Sequence, residues 1–442
     1  MKLQKITLFV LLAAVGTMVK AQQKLWTLSE CIDYAIEHNY EVKKSQNQVD
    51  ALKLQRNSLK SKFLPNLNAG ASHNFAFGRS LNQNNTYENS NIQNSSFSLT
   101  TELNLFSGFK RLNSISQNKY DLLAAEADKE LIKNNLVLQI TNLYFQILLN
   151  KEILNIANEQ IELTKEQQIR TNILIDNGKV SKSQIHEVNA QLADDELAAT
   201  EANNNLKYAL LELMQAMEMD QYDNFDIDSI EVDPSAIESL DPIAIYQSSL
   251  GCMPQIKQAY YSLQSKSKGI QIAKSGYYPT LSFGAGISTG YYHYGERFNE
   301  AFRKQLNNNM QKSIYLTLSI PLFDRFETRN LVKSKRIEAD NARLQLEEEK
   351  KLLYKDIQKA YADALAAYEK LNATKKAVLA NQEAHRYALE KYAAGKSSVF
   401  EYNEVKMKMA DALSRHSQAK YTYLLKERIL RFYSCLSITD SK

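Results

Sequence analysis

The stretch SFSLTTELNLF, Ser96 to Phe106, returns as SIYLTLSIPLF, Ser313 to Phe323, with five of eleven positions identical. The offset, 313 minus 96, is 217. The same offset carries Gly178 onto Gly395 and Glu187-Val188 onto Glu404-Val405. Slightly upstream, an offset of 214 carries Pro65 onto Pro279. The chain of 442 residues is therefore one unit written twice. The period is far too long for a solenoid and reads as an internal duplication.

Each copy runs through the same elements. In the first, Thr27 with Glu30 three residues on forms a capping-box pattern that opens a helix expected to reach about Lys62. Pro65 ends it, because proline cannot continue the backbone ladder. Ser107 and its counterpart Asp324 are expected N-caps. After each comes a proline-free segment, 108–176 and 326–394, about 100 Å long if helical. Ile140, Ile147, Leu154, Ile161, Gln168 and Ile175 recur every seven residues, and Ile357, Ala364, Leu371, Val378, His385 and Tyr392 repeat that register. A sustained seven-residue period means helices packed as coiled coils. Asn177-Gly178 and Gly395 turn the chain into return helices 181–218 and 398–432. The expected organisation is a signal peptide 1–21, a first repeat 22–218, a linker 219–244 at mid-height, a second repeat 245–432 and a tail 433–442.

Four segments alternate as strands, about 66–77, 96–106, 279–291 and 313–323. In the second, Phe97, Leu99, Leu103 and Leu105 share one face, with Ser98, Thr100, Glu102 and Asn104 on the other. In the third, Leu281, Phe283, Ala285 and Ile287 oppose Ser282, Gly284, Gly286, Ser288 and Gly290. His73 on the oily face and Tyr315 on the wet face are the exceptions. Aromatic side chains, including Phe106, Tyr277, Tyr278 and Phe323, crowd the strand ends like the girdles of membrane barrels. We read the oil as lipid and the water as a lumen. Four strands cannot close, and open edges are not tolerated in lipid. Two chains would make an eight-stranded barrel, whose interior needs larger side chains than Ser, Gly, Thr and Asn. Three chains give twelve strands around an aqueous pore. The fold class expected is thus mainly α with a shared membrane β-barrel.

The N-terminus supports export. Lys2 and Lys5 precede the apolar run ITLFVLLAAV, and VKA offers a cleavage site after Ala21. Without residues 1–21 the formal net charge of +4 falls to about +1, which gives no reason to expect a nucleic-acid partner. No later stretch is apolar enough for a membrane helix. Cys31, Cys252 and Cys435 lie far apart and imply no disulfide framework. GAGISTG, Gly284 to Gly290, lacks the strand-to-helix setting of a dinucleotide loop. The acidic run DQYDNFDIDSIEVD lacks the glycine and spacing of a calcium hand. No nucleophile, metal or cofactor motif is present, so neither an enzyme nor a cofactor is expected.

Matched segments carry a family resemblance. They are HNYEVKKSQ with CMPQIKQAY, FLPNL with YYPTL, LNLFSGF with IPLFDRF, and the turns NGKVSKSQIHEVNAQL with AGKSSVFEYNEVKMKM. In this order, and duplicated, they resemble the TolC family of outer-membrane efflux channels over nearly the whole mature chain. The resemblance implies a homotrimer with a twelve-stranded barrel in the Gram-negative outer membrane and a helical barrel in the periplasm. Its partners would be a periplasmic adaptor and an inner-membrane pump of the RND, ABC or MFS type. It also implies a periplasmic gate near Glu401 and Glu404, with Glu187, Gln184 and Tyr392 beside it. Asn177, Gly178, Lys179, Gly395, Lys396 and Ser397 would form the tips that meet the adaptor. Ser397 stands where the family carries a latching arginine. Pro65, Pro279, Ser107 and Asp324 would mark the helix–strand junctions. By composition alone the Glu401/Glu404 pair is a solvated helix face. A periplasmic coiled-coil adaptor is the alternative reading of the whole chain.

Overall fold

The computed structural model describes residues 25–81, 85–89, 91–220, 225–229, 241–294 and 300–436. The expected signal peptide, most of the 219–244 linker and the end of the 433–442 tail lie outside the described residues. The chain divides into two compact units. One combines residues 45–128 and 254–350; the other combines 1–44, 129–253 and 351–442.

The first unit is built on a four-stranded antiparallel sheet. Its strands are β2 (Asn68–Ala76), β5 (Ile92–Ser107), β7 (Thr280–Tyr294) and β8 (Gln311–Ser319), in the order β2-β5-β7-β8. A small hairpin of β3 (Arg79–Leu81) and β4 (Tyr87–Asn89) stands within the Asn-rich loop. A short helix, α7 (Phe302–Asn308), precedes β8. Leu99 pairs with Ile287, Leu103 with Phe283, and Phe283 with Leu316. On the other face Thr100 pairs with Gly286, and Gly286 with Ser313. A sheet alternates its side chains, so these registers give it one oily and one polar face. The oily face stays open: Ile314 is 77% exposed and Leu316 66%.

Two strand details differ from expectation. A bulge between Asn104 and Phe106 leaves Leu105 out of register, and Phe106 instead pairs with Leu281. The oily face therefore ends in Phe106, because the extra residue of a bulge shifts the parity. The last strand stops at Ser319, two residues before Pro321, which has no N–H to donate. Tyr315, an exception on the polar face, lies over Gly284, where a Cβ would come within 2.2 Å of its ring. His73, the exception on the oily face, meets Ser95 Oγ at 2.8 Å.

In chain order the helices are α1 (Leu28–His38), α2 (Tyr40–Ser61), α3 (Lys110–Asp176), α4 (Gln184–Ala216), α5 (Pro242–Cys252), α6 (Pro254–Lys274), then α7, α8 (Glu327–Ala393) and α9 (Val399–Tyr433). The expected single opening helix is two. Asn39 adopts an extended ψ of 131° and its side chain accepts from Glu41 N–H at 2.9 Å, ending α1 and starting α2. The Thr27/Glu30 capping box is present. Before the long helices, Gly108-Phe109 and Arg325-Phe326 all have positive φ, between 57° and 66°. The repeat offset thus reproduces even a strained two-residue kink, which only glycine adopts freely.

The second unit is helical. The heptad positions Ile140, Ile147, Ile357 and Ala364 are fully buried, as coiled-coil packing requires. Two short strands, β1 (Leu25–Trp26) and β6 (Asp226–Ile227), pair in parallel beside them. Tyr144 donates to the carbonyl of Asp228 at 2.7 Å, and Lys151 pairs with Asp226 at 2.6 Å. Cys252 and Cys435 form a disulfide, with Cα atoms 6.5 Å apart, a single pairing that the sequence spacing left open. Their sequence separation of 183 hid a proximity that helix packing creates. Cys31 is buried and takes no part in that disulfide.

Candidate functional site: the hairpin tips

In the helical unit the chain reverses twice, from α3 to α4 and from α8 to α9. Gly178 and Gly395 take φ of 68° and 71°. This is the left-handed conformation that closes a helix. Lys179 N–H then donates back to Leu174 O at 2.9 Å, and Lys396 N–H to Lys391 O at 3.0 Å. These are the same closing motif twice, and they satisfy carbonyls the helix ends would otherwise orphan. Asn177 adds a side-chain bond to Ile173 O at 2.7 Å.

The helices that follow begin differently. Ser398 and Glu401 form a complete capping box at the start of α9. Glu401 Oε2 also accepts from Ser397 Oγ at 2.8 Å. Ser397 therefore bonds the same carboxylate that closes the capping box. In the first copy Ser181 and Gln184 occupy the equivalent positions, but α4 starts only at Gln184, whose Oε1 is buried without a hydrogen-bond partner.

Glu401, Glu404 and Glu187 are all exposed. Glu404 pairs with Lys408 at 2.7 Å. Such a solvated pair carries small energetic weight. Tyr392 is elsewhere: its ring is 1% exposed and packs with Val188, Val399 and Tyr402 in the core of the tips. Its hydroxyl meets Thr171 Oγ1 at 2.6 Å, and its ring stacks on Tyr402 with centroids 5.1 Å apart. Burial pushes the Tyr402 hydroxyl up to about 12. Among the junction residues, Ser107 ends β5 paired with Thr280, so it does not cap α3. Asp324 accepts from Thr328 N–H at 2.8 Å, one turn into the approach to α8. Pro65 is followed by Asn66, whose N–H donates to Glu102 O at 3.1 Å. Pro279 directly precedes β7.

Sequence reasoning missed a buried polar cluster behind these tips. Lys406 of α9 lies 2.9 Å from Asp195 of α4, and also meets the hydroxyl of Thr164 on α3. Gln191 donates to the other carboxylate oxygen of Asp195 at 2.8 Å. The signal was present: Asp195 follows Val188 by seven residues, and Lys406 follows Val399 by seven. Both charges occupy core positions of the helical repeat, where a charge survives only if paired. Among the described residues no group of three or more His, Cys, Asp or Glu side chains could hold a metal ion.

A sheet with an uncovered oily face and a polar face of small residues, joined in one chain to paired helical hairpins, defines a channel-forming outer-membrane protein. The outer membrane efflux protein family matches residues 31–217 and 245–434, and the chain belongs to that family. It is 25% identical to the outer membrane protein TolC of Salmonella enteritidis over 402 residues, 89% of this chain and 79% of that protein. It is 22% identical to protein CyaE of Bordetella pertussis, over 88% of this chain and 80% of the relative. The fold is that of the solved outer membrane protein VceC of Vibrio cholerae, with a TM-score of 0.77, 15% identity, and 93% and 96% of the two chains covered. A structure of CusC gives a TM-score of 0.77 at 16% identity, covering 92% and 91%. The protein is an outer-membrane efflux channel.

Proposed function

We propose that three copies of this chain form one duct, which an adaptor and an inner-membrane pump load from the periplasmic side. The sheet carries this reading. Among the described residues its edge strands β2 and β8 each have one neighbour, and its oily face is exposed. Edges inside lipid must pair. Four strands per chain from three chains supply a closed barrel wide enough to hold water, lined by the Thr100, Gly286 and Ser313 face. The exposed carboxylates Glu187, Glu401 and Glu404 make the tips a cation-attracting mouth, and the turns at Lys179 and Lys396 are the surfaces an adaptor would meet. The protein acts by conduction rather than catalysis.

The experiment is mass and conductance. Purified protein in mild detergent should run as a trimer by light scattering, dissociate on heating, and conduct in planar bilayers. A monodisperse monomer that conducts nothing would return the chain to the coiled-coil adaptor reading.

A further inference from the structure

Beside the oily face, where the sheet gives way to helix, lies a cleft of about 300 Å³ in the sheet-bearing unit. It is walled by the end of α6, the turn at Ser275–Tyr277 and the first turns of α8. Lys274, Arg329, Lys333 and Arg336 line it, with Tyr277, Tyr278 and Val332. Arg329, Val332, Lys333 and Arg336 follow the three-, four- and seven-residue spacing of one helix face. Val332 is buried, and the three cations around it are exposed. Among the described residues none of the four cations forms an ion pair. The neighbouring face of α8 differs: Lys335 pairs with Glu338 at 2.7 Å, and Lys266 approaches the same carboxylate at 3.9 Å. The cleft thus gathers four cations with no acid paired to them, whereas the adjoining lysines share Glu338.

The aromatic residues tie this cleft to the oily face. Phe106 pairs with Leu281 on that face. Its ring meets Phe109 edge-on at 5.3 Å, and Phe109 meets Tyr278 at 6.2 Å. Tyr278, the last ring of this string, is a wall of the cleft. Aromatic rings at a barrel rim mark the level where hydrocarbon ends and headgroups begin. From Arg329 to Arg336 the helix rises about 10 Å, comparable to the headgroup layer beyond the hydrocarbon, about 5–8 Å per side.

We infer that this cleft binds the phosphodiester headgroup of an anionic phospholipid, in the leaflet at the helical end of the barrel. The inference rests on the membrane reading of the sheet. Charge complementarity selects the occupant. Guanidinium groups grip phosphate oxygens through paired N–H donors, the two tyrosine rings cover the glycerol region, and acyl chains continue along the oily face. Free phosphate shares the headgroup chemistry but gains nothing from that face.

The test compares wild type with Arg329→Gln/Lys333→Gln/Arg336→Gln, each reconstituted in bilayers of mixed phosphatidylcholine and phosphatidylglycerol. Native mass spectrometry after extraction then counts the retained lipid. Wild type should retain phosphatidylglycerol in preference to phosphatidylcholine, and the triple variant should hold it about 100-fold more weakly, from three cations lost at a charged surface. Lys335→Gln, whose charge Glu338 already balances, should retain lipid like wild type. Millimolar inorganic phosphate should not displace the lipid. Equal retention by wild type and triple variant overturns the inference, as does displacement by phosphate. Loss of the oligomer in the triple variant also overturns it, by showing that these cations hold a neighbouring chain. If wild type inserts and conducts but shows no anionic preference, the cleft assignment alone fails. If wild type never enters the bilayer, the membrane reading fails with it.

Discussion

Nζ of Lys406 lies 2.9 Å from Oδ2 of Asp195, and the two side chains are only 1% and 10% exposed. The pair joins α9 of one hairpin to α4 of the other. Removing one member leaves the other charge buried and uncompensated. Lys406→Met should therefore destabilise the protein by about 3–5 kcal/mol, whereas Lys406→Met/Asp195→Leu should recover most of that loss. Denaturant titration of the solubilised protein measures both. Equal, small effects of the single and double changes would mean that water reaches Asp195 and that the pair is no clamp.

Leu99 and Thr100 are adjacent and face opposite sides of the sheet, as their partners Ile287 and Gly286 show. Arginine at Leu99 should cost about 2–4 kcal/mol near the bilayer midplane. Arginine at Thr100 should be tolerated, because that face meets water. Folding into vesicles under urea gives the comparison. A larger loss at Thr100 than at Leu99 would reverse the assignment of lipid and lumen.

For the tips, neutralisation must respect the capping box. Glutamine serves at the third position of such a box, so Glu401→Gln/Glu404→Gln removes two charges per chain while keeping the start of α9. Single channels of this variant should lose cation preference and lose block by trivalent cations added at the periplasmic side, because confined carboxylates focus a negative potential. Glu401→Ala should in addition loosen the start of α9, because Ser398 N–H and Ser397 Oγ lose their acceptor while Ser398 still caps the helix. Unchanged block in the glutamine variant would leave these acids as a solvated helix face.

Burial, with a smaller contribution from the charge of Lys406, holds the His385 imidazole below its ordinary value of 6.5. Tyr402 OH meets its Nε2 at 3.3 Å. The folded chain thus takes up this proton less readily than the unfolded chain. As pH falls below about 6.5 the unfolded state gains the proton first, so stability declines until the folded imidazole is also charged. His385→Gln should flatten that part of a stability–pH curve measured between pH 7.5 and 4.5. A curve that superimposes on wild type would assign the acid sensitivity to other groups. His416, also held low by burial, is the next one to change.

What the sequence determined by itself was periodic. The repeat at offset 217, the strand alternation, the heptads and the glycines at 178 and 395 are local or near-local signals, because a strand has period two, a helix period 3.6, and a left-handed residue selects glycine. They were enough to give four sheet strands, two long helices and two tips. Tertiary structure decided the rest. The bulge that moves Phe106 into the oily row depends on the facing strand. The Tyr392–Thr171 contact, the Cys252–Cys435 bond and the Lys406–Asp195 pair join residues between 183 and 221 positions apart. No local pattern names such partners, because a charged or thiol side chain specifies what kind of group it needs but not where the chain will bring one. Only the packing of helices against each other supplies that.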